Sequence, residues 1–436
     1  MANFSSLKRS LVVALCLAFV SFSLGQTPSP SPTPVQSASP EKAKVFGSSL
    51  KQYENRQQQN FQGQQKIDAA DDGETIRVTT DLVLNDVLVT DQNGKMLTDL
   101  SKEDFIVAED GTPQSIAVFS RGENAPVPRS IVLIINSSTP NVPYLKKSLA
   151  AAKTLVDGLS PQDKMAIATV DVRLLVDFTD NKTLLKKTLG SVEKRAMEMR
   201  VIPGGGGGRE FEALLATLNE MFEKKDHRPI IIFQGDATEV MWLKPDKDAP
   251  YPISDSIRKI EISGRGREYW DKQRWMRHFG FSDIKEAIER SRATIYSVTT
   301  GIRFLGFSKK ERLARGKISL ENLWRSFGLK VDPMIIAMFR NRDTEVFTEV
   351  FTEVLTAAQT AMLRIAELSG GNLGFIEKPE DAEGVYEDIF RQISNRYLVG
   401  YYPTNQQSDG KRREVRIDVR GHPEYVVTGR KTYFSH

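Results

Sequence analysis

Four short and nearly uninterrupted apolar runs recur through the middle of the chain: Ser130–Ile135, Met165–Val170, Pro229–Phe233 and Thr294–Val298. Strands buried on both faces read this way, because neither side of the ribbon meets water. Between the runs the apolar period changes to that of a helix. Leu145, Leu149, Ala152 and Val156 fall one turn apart, segments 182–194, 210–224 and 284–292 are helical in pattern, and Val385, Ile389 and Ile393 mark a last helix. Strands alternating with helices predict an α/β fold of Rossmann-like type, a mostly parallel sheet with helices on both faces. That unit is expected over 128–396.

The flanks differ. In segment 74–122, Ile76 to Thr90 is β-branched or alternating, and Asn93-Gly94 and Asp110-Gly111 mark tight turns. In segment 397–436, Tyr397 to Tyr402 is aromatic and apolar, and Val415, Ile417 and Val419 alternate with Arg416, Asp418 and Arg420. Neither flank is long enough for a secure core of its own, so the two are expected to pack together as one small β-sandwich.

Ahead of these segments, residues 26–73 are rich in Pro, Ser and Gln and read as a disordered linker. Residues 1–25 have the parts of an export signal: Lys8-Arg9, an apolar run from Leu11 to Phe22, and small residues at Ser23-Leu24-Gly25. The run falls short of the ~20 residues that a membrane-spanning helix needs, so the mature chain is expected to be exported without a membrane span. Leu15 precedes Cys16, where a lipoprotein signal has a small residue. Cys16 is the single cysteine, which excludes a disulfide framework and any thiolate zinc site. A formal charge of +4 gives no electrostatic case for nucleic acid as a partner.

Two stretches exceed a minimal α/β unit. One, about 241–280, is basic and aromatic, with Trp242, Trp270 and Trp275; a lid over the sheet domain or a partner-binding surface are the two readings. The other, about 304–354, carries the tandem repeat Glu345-Val346-Phe347-Thr348, Glu349-Val350-Phe351-Thr352, Glu353-Val354-Leu355-Thr356. A four-residue period drifts slowly round a helix, so the repeat is expected to make one apolar stripe with glutamates beside it.

Parallel α/β sheets bind ligands where loops leave the carboxyl ends of their strands. Three loops qualify here: Asn136-Ser137-Ser138-Thr139-Pro140, Gly204–Gly208 with Arg209-Glu210, and Gln234-Gly235-Asp236-Ala237-Thr238. With Asp104-Phe105, Glu109-Asp110-Gly111, the strand Ile131 to Ile135, and the closing Tyr397-Leu398-Val399-Gly400-Tyr401-Tyr402-Pro403, these loops resemble a von Willebrand factor A (VWA) domain, more closely the VWA-related proteins of Acidobacteria. The resemblance runs from about Thr75 to the C-terminus. It implies an adhesion-type, non-enzymatic module that binds a protein partner at a metal-ion-dependent adhesion site.

That family's site uses Asp-x-Ser-x-Ser, a Thr and an Asp to hold Mg²⁺ or Mn²⁺ through hard oxygens. Here Asn136 stands at the first Asp, Ser138 matches the first Ser, and Pro140 replaces the second. Arg209 follows the glycines where Thr belongs, and Gln234 takes the third-loop Asp position, with Asp236 two residues on. Two lost carboxylates and an added cation imply a degenerate site that binds without metal and needs no cofactor. The alternatives are a cation held by Ser138 and Asp236, with Asp171 as a further ligand, and a serine hydrolase using Ser137 or Ser138. No Gly-x-Ser-x-Gly elbow supports the hydrolase, and Gly204–Gly208 lacks the Lys-Ser/Thr of a phosphate-binding loop.

Overall fold

The computed structural model describes residues 46–55, 82–122, 127–138, 141–199, 209–222, 228–244, 246–250, 278–326 and 342–435. The leader, the glycine loop, Pro140, Trp270 and Trp275 lie outside them. The strands are β1 (Val83–Thr90), β2 (Phe105–Glu109), β3 (Thr112–Gln114), β4 (Ile116–Arg121), β5 (Arg129–Ile135), β6 (Lys164–Thr169), β7 (Arg173–Thr179), β8 (Arg228–Gly235), β9 (Thr294–Thr300), β10 (Leu373–Ile376), β11 (Tyr397–Tyr401), β12 (Arg412–Val419), β13 (Val426–Thr428) and β14 (Thr432–Phe434). The principal helices are α1 (Val142–Asp157), α2 (Lys182–Met199), α3 (Glu210–Glu220), α4 (Phe281–Ser291), α5 (Lys309–Ser326), α6 (Arg342–Ser369) and α7 (Ala382–Ser394).

A six-stranded sheet in the order β10-β9-β8-β5-β6-β7 forms the centre. All its pairings are parallel except β6 with β7. Alternate side chains of each strand serve opposite faces, as the pleat requires. Val132, Ile134, Ile231, Phe233 and Ile295 pack with residues of α3, α4 and α6 on one side. Ile131, Leu133, Ile135, Ile230, Ile232 and Val298 pack with α1, α2 and α7 on the other. The apolar runs are continuous because both faces are covered. β7 was not among the expected strands. Its residues are half-buried or exposed on an edge, so Arg173–Thr179 lacks the apolar run that marks the inner strands.

Strands from the two flanks form two four-stranded sheets, β13-β1-β11-β4 and β14-β12-β2-β3. Val83, Val87 and Val89 of β1 share one buried cluster with Phe105, Val107, Tyr397, Val399, Tyr401, Val415, Val419 and Tyr433. Beneath the cluster, Glu109 accepts hydrogen bonds from the hydroxyls of Tyr401 (2.8 Å) and Tyr433 (2.7 Å).

A polar seam joins these sheets to the α/β unit. Arg228 pairs with Asp86 at 2.5 Å, both nearly buried. Arg396 donates to the Tyr296 hydroxyl (2.7 Å) and to the carbonyls of Asp86 (3.0 Å) and Gly370 (2.6 Å). Buried charges without partners are costly, so parting the two units would leave Arg228 and Arg396 short of partners.

Two expectations need correction. The linker expected to be disordered over 26–73 holds an anchored stretch: Ser48–Leu50 forms a helical turn that continues to residue 55, and Leu50 and Tyr53 are buried in the α3/α4 core. Phe46, Leu50 and Tyr53 recur at helical spacing, and this overrides the polar composition around them. The stretch read as an insertion over about 304–354 likewise does not end at 354, because α6 runs unbroken through that residue and its Ala358, Ala361, Met362 and Ile365 cover the central sheet. In the repeat, Thr348 and Thr352 are buried beside Val350, and Thr352 donates its hydroxyl back to the Thr348 carbonyl (2.6 Å). Self-satisfied threonines can therefore line the contact with α5, where a side chain in place of the hydrogen of Gly316 would strike Thr352. The ends of the 241–280 stretch are tied together, with Leu243 and Phe279 buried and the Lys244 amide donating to the Phe279 carbonyl (2.9 Å).

Candidate functional site

The carboxyl ends of β5, β8 and β9 meet at one crest. Asn136 leaves β5 and turns the chain by accepting the Ser138 amide on its own Oδ1 (2.8 Å). Asn141 occupies the cap position of α1, where asparagine ordinarily satisfies the helix's free amides. Here its side chain makes no cap bond and reaches across the crest instead. Its Nδ2 donates to Ser138 Oγ (3.1 Å) and to Asp236 Oδ2 (2.7 Å), while its Oδ1 accepts the Thr300 hydroxyl. The other oxygen of Asp236 accepts the amide (3.0 Å) and hydroxyl (2.7 Å) of Thr238.

Beneath this layer lies Glu210, the first residue of α3 and 1% exposed. It accepts hydrogen bonds from the Asn136 side-chain amide and from the backbone amides of Asp236 (3.1 Å) and Ala237 (2.6 Å). Burial, then the negative charges of Asp236 and Glu239, push the Glu210 carboxyl well above the ordinary carboxylate range; the two backbone amides pull the other way. Gly235 permits the approach, because a Cβ there would stand 2.6 Å from Glu210 Oε1. Ala237, at φ 52°, adopts a left-handed conformation to aim its amide at Glu210.

Of the sequence-derived candidates, the structure joins Asn136, Ser138 and Asp236 and separates the rest. Gln234 is fully buried within β8, donates to Ser148 Oγ (3.3 Å) and accepts the Tyr386 hydroxyl (2.6 Å). Two residues before the loop, the pleat directs it to the α1/α7 face rather than to the crest. Arg209 is half-exposed; its amide donates to the Val170 carbonyl (2.7 Å), and its Nε lies 3.6 Å from Glu212 Oε1 on its own helix. Asp171 accepts the Thr169 hydroxyl and faces Arg195 (3.8 Å) and Arg173 (4.0 Å). Ser138 Oγ is met by an amide donor, and an amide cannot take the proton that a serine nucleophile must lose.

The donor set fits Mg²⁺ or Mn²⁺ poorly. Asp236 brings one carboxylate to the crest, and both its oxygens already accept protein hydrogen bonds. Asn141 presents a donor between the two best candidate ligands, Ser138 Oγ and Asp236 Oδ2. No group of three or more His, Cys, Asp or Glu suited to a metal occurs among the described residues. Asn141, Thr300, Thr238 and Glu210 were not singled out from sequence. The one available signal was Asn141 just before Val142-Pro143, and it points to a helix cap rather than to a crest contact.

No protein-family profile matches the sequence, and no curated protein does. Among solved structures, a von Willebrand factor type A protein from Catenulispora acidiphila is 11% identical, with 76% of this chain and 72% of that one covered and a TM-score of 0.31. BatB from Bacteroides thetaiotaomicron is 11% identical over 61% of this chain and 98% of that one, at a TM-score of 0.30. Proximal thread matrix protein 1 from the mussel byssus is 13% identical at a TM-score of 0.29; the match covers 61% of this chain and 48% of that protein. These likenesses are partial, and the crest is read from its own geometry. Among the described residues no helix is long and apolar enough to cross a membrane.

Proposed function

We propose that this chain is an exported protein–protein interaction module of VWA type that docks a protein partner on the crest without metal, its flanking sheets forming a single β-sandwich beside the α/β unit. The observation that carries the reading is the Asn141 side-chain amide between Ser138 Oγ and Asp236 Oδ2. A cation at such a crest neutralises oxygens and ties loops together; a neutral amide donor ties the same loops together with no ion. The buried Glu210 beneath supports the loops from below, leaving Ser137, Ser138, Asp236 and Thr300 partly exposed to a partner. Export is supported by the leader, and the non-enzymatic reading by the Asn141 amide donor that meets Ser138 Oγ.

Two measurements test this. Calorimetric titration with Mg²⁺ and Mn²⁺ is expected to give no binding, and micromolar binding abolished by Ser138→Ala would overturn metal independence. A photo-crosslinking residue at Ser137 is expected to capture a protein from the cell envelope, and one at the outward-facing Ile106 of β2 is not. Capture at Ile106 alone would move the binding face elsewhere.

A further inference from the structure

Residues 46–53 meet the α/β unit in a way that packing of a linker does not require. Glu220, the last residue of α3, accepts the Gly47 amide on Oε2 (2.9 Å) and the Ser49 amide (2.7 Å) and hydroxyl (2.5 Å) on Oε1. Both carboxylate oxygens thus grip the start of a helical turn, where free amides point outward. Leu50 enters the core, and Tyr53 lies 5.8 Å from Phe279 in a tilted ring pair with its hydroxyl accepting from Asn219 (3.2 Å). Gly47 has φ 91°, and a Cβ there would stand 2.9 Å from Val172 Cγ1. Four positions of one short segment are therefore read individually, by a carboxylate, a steric wall, an apolar socket and an aromatic with a polar tip.

We infer that the groove formed by α3, Val172 and Phe279 is a peptide-docking site for a Gly-Ser-Ser-Leu-x-x-Tyr segment, which residues 47–53 fill as a tethered ligand. Anchors at a helical i, i+3 spacing set in an apolar groove are a known mode of peptide recognition. The tether supplies a high local concentration, so a second peptide competes poorly until the native segment is weakened. Val172 gives the docking a consequence. This β-branched residue sits at φ 58° in the turn between β6 and β7, so the segment packs against a turn held in an unfavourable conformation. The inference stands apart from the crest reading, since the groove residues that meet the segment, Glu220, Asn219, Val172 and Phe279, take no part in the Asn141 network.

The test uses the full chain and a dye-labelled peptide spanning residues 45–56, read by fluorescence anisotropy. The Leu50→Ala/Tyr53→Ala chain, its own segment disabled, is expected to bind the peptide at least about tenfold tighter than the unaltered chain does. Adding Glu220→Gln to that chain should weaken binding about tenfold, and a peptide with Gly47→Val should not bind. Absence of binding to the double variant at millimolar peptide, or equal binding that ignores Glu220→Gln, overturns the proposal. Should the double variant not fold, hydrogen exchange decides in the unaltered chain. Peptide in excess of the tether's effective concentration, on the order of millimolar, is expected to speed exchange at the Gly47 and Ser49 amides, and unchanged rates there overturn the proposal. A dimer forming through the segment would overturn docking within one chain.

Discussion

Asn141 donates its side-chain amide to the Asp236 carboxylate across 2.7 Å, linking the loop after β5 to the loop after β8. Asn141→Asp replaces that donor with a second carboxylate. Without metal the variant should lose about 1–3 kcal/mol, because a partly buried hydrogen bond becomes a like-charge contact. With Mn²⁺ it should recover, since two carboxylates and the Ser138 hydroxyl now make a hard oxygen set. Thermal denaturation with and without Mn²⁺ measures both effects. A rise in melting temperature of the unaltered protein equal to that of the variant would sink the idea.

Gly235 lies against Glu210, and Gly235→Ala would place a methyl group 2.6 Å from Glu210 Oε1. Overpacking of this kind costs about 1–3 kcal/mol. Denaturant unfolding should show a lower midpoint at unchanged slope. Full stability would mean that Glu210 has room to move and does not brace the crest.

Asp163 is a buried acid-sensitive group of the α/β unit. It accepts the Arg129 guanidinium at 2.5 Å, the Arg129 amide at 3.0 Å and the Ser160 amide at 2.9 Å. Burial alone would raise its carboxyl, but the hydrogen bonds and charge of Arg129 outweigh it and hold the group below the ordinary range. A depressed folded-state value means that the stabilisation is complete above the unfolded carboxylate range and is lost as pH falls through the folded value. Asp163→Asn should cost about 3–5 kcal/mol at neutral pH by leaving Arg129 buried and unpaired. It should also make stability fall less steeply in acid, as urea titrations across that range would reveal.

Arg396 ties the flanking sheets to the α/β unit through three hydrogen bonds. Calorimetry of the unaltered protein should give one melting transition. Arg396→Met leaves the Tyr296 hydroxyl and two carbonyls without this partner, at a cost of about 3 kcal/mol. The variant is expected to melt in two steps, and one sharp transition at the original temperature would show that the seam does not couple the units.

The central sheet was legible because its inner strands are apolar on both faces, and a run such as Ile131–Ile135 has few other uses. The edge strand β7 was not, since an edge alternates neither cleanly nor for long. At the crest, the loops were legible but the direction of each side chain was not. Gln234 and Asp236 differ by two residues, yet the strand ends between them, so one is buried against Tyr386 and the other faces Asn141. Glu210 reads as an ordinary acid at a helix start, and only the fold shows it buried under Asp236. The anchored stretch 46–55 was hidden for the opposite reason: three apolar residues suffice when a carboxylate elsewhere in the chain completes the contact.

β1 pairs with β11 on one side and β13 on the other, both drawn from beyond residue 396. A chain emerging from a ribosome or a translocation channel presents Val83–Thr90 early, with most of both ladders of backbone amides and carbonyls unmet, although the Leu97 amide meets the Val89 carbonyl nearby. Those ladders stay open until some three hundred further residues have followed, a long closure for contacts of so few residues. Birth order therefore makes β1 the strand most in need of a chaperone, and a chain stalled before its last strands would offer a ready template for aggregation.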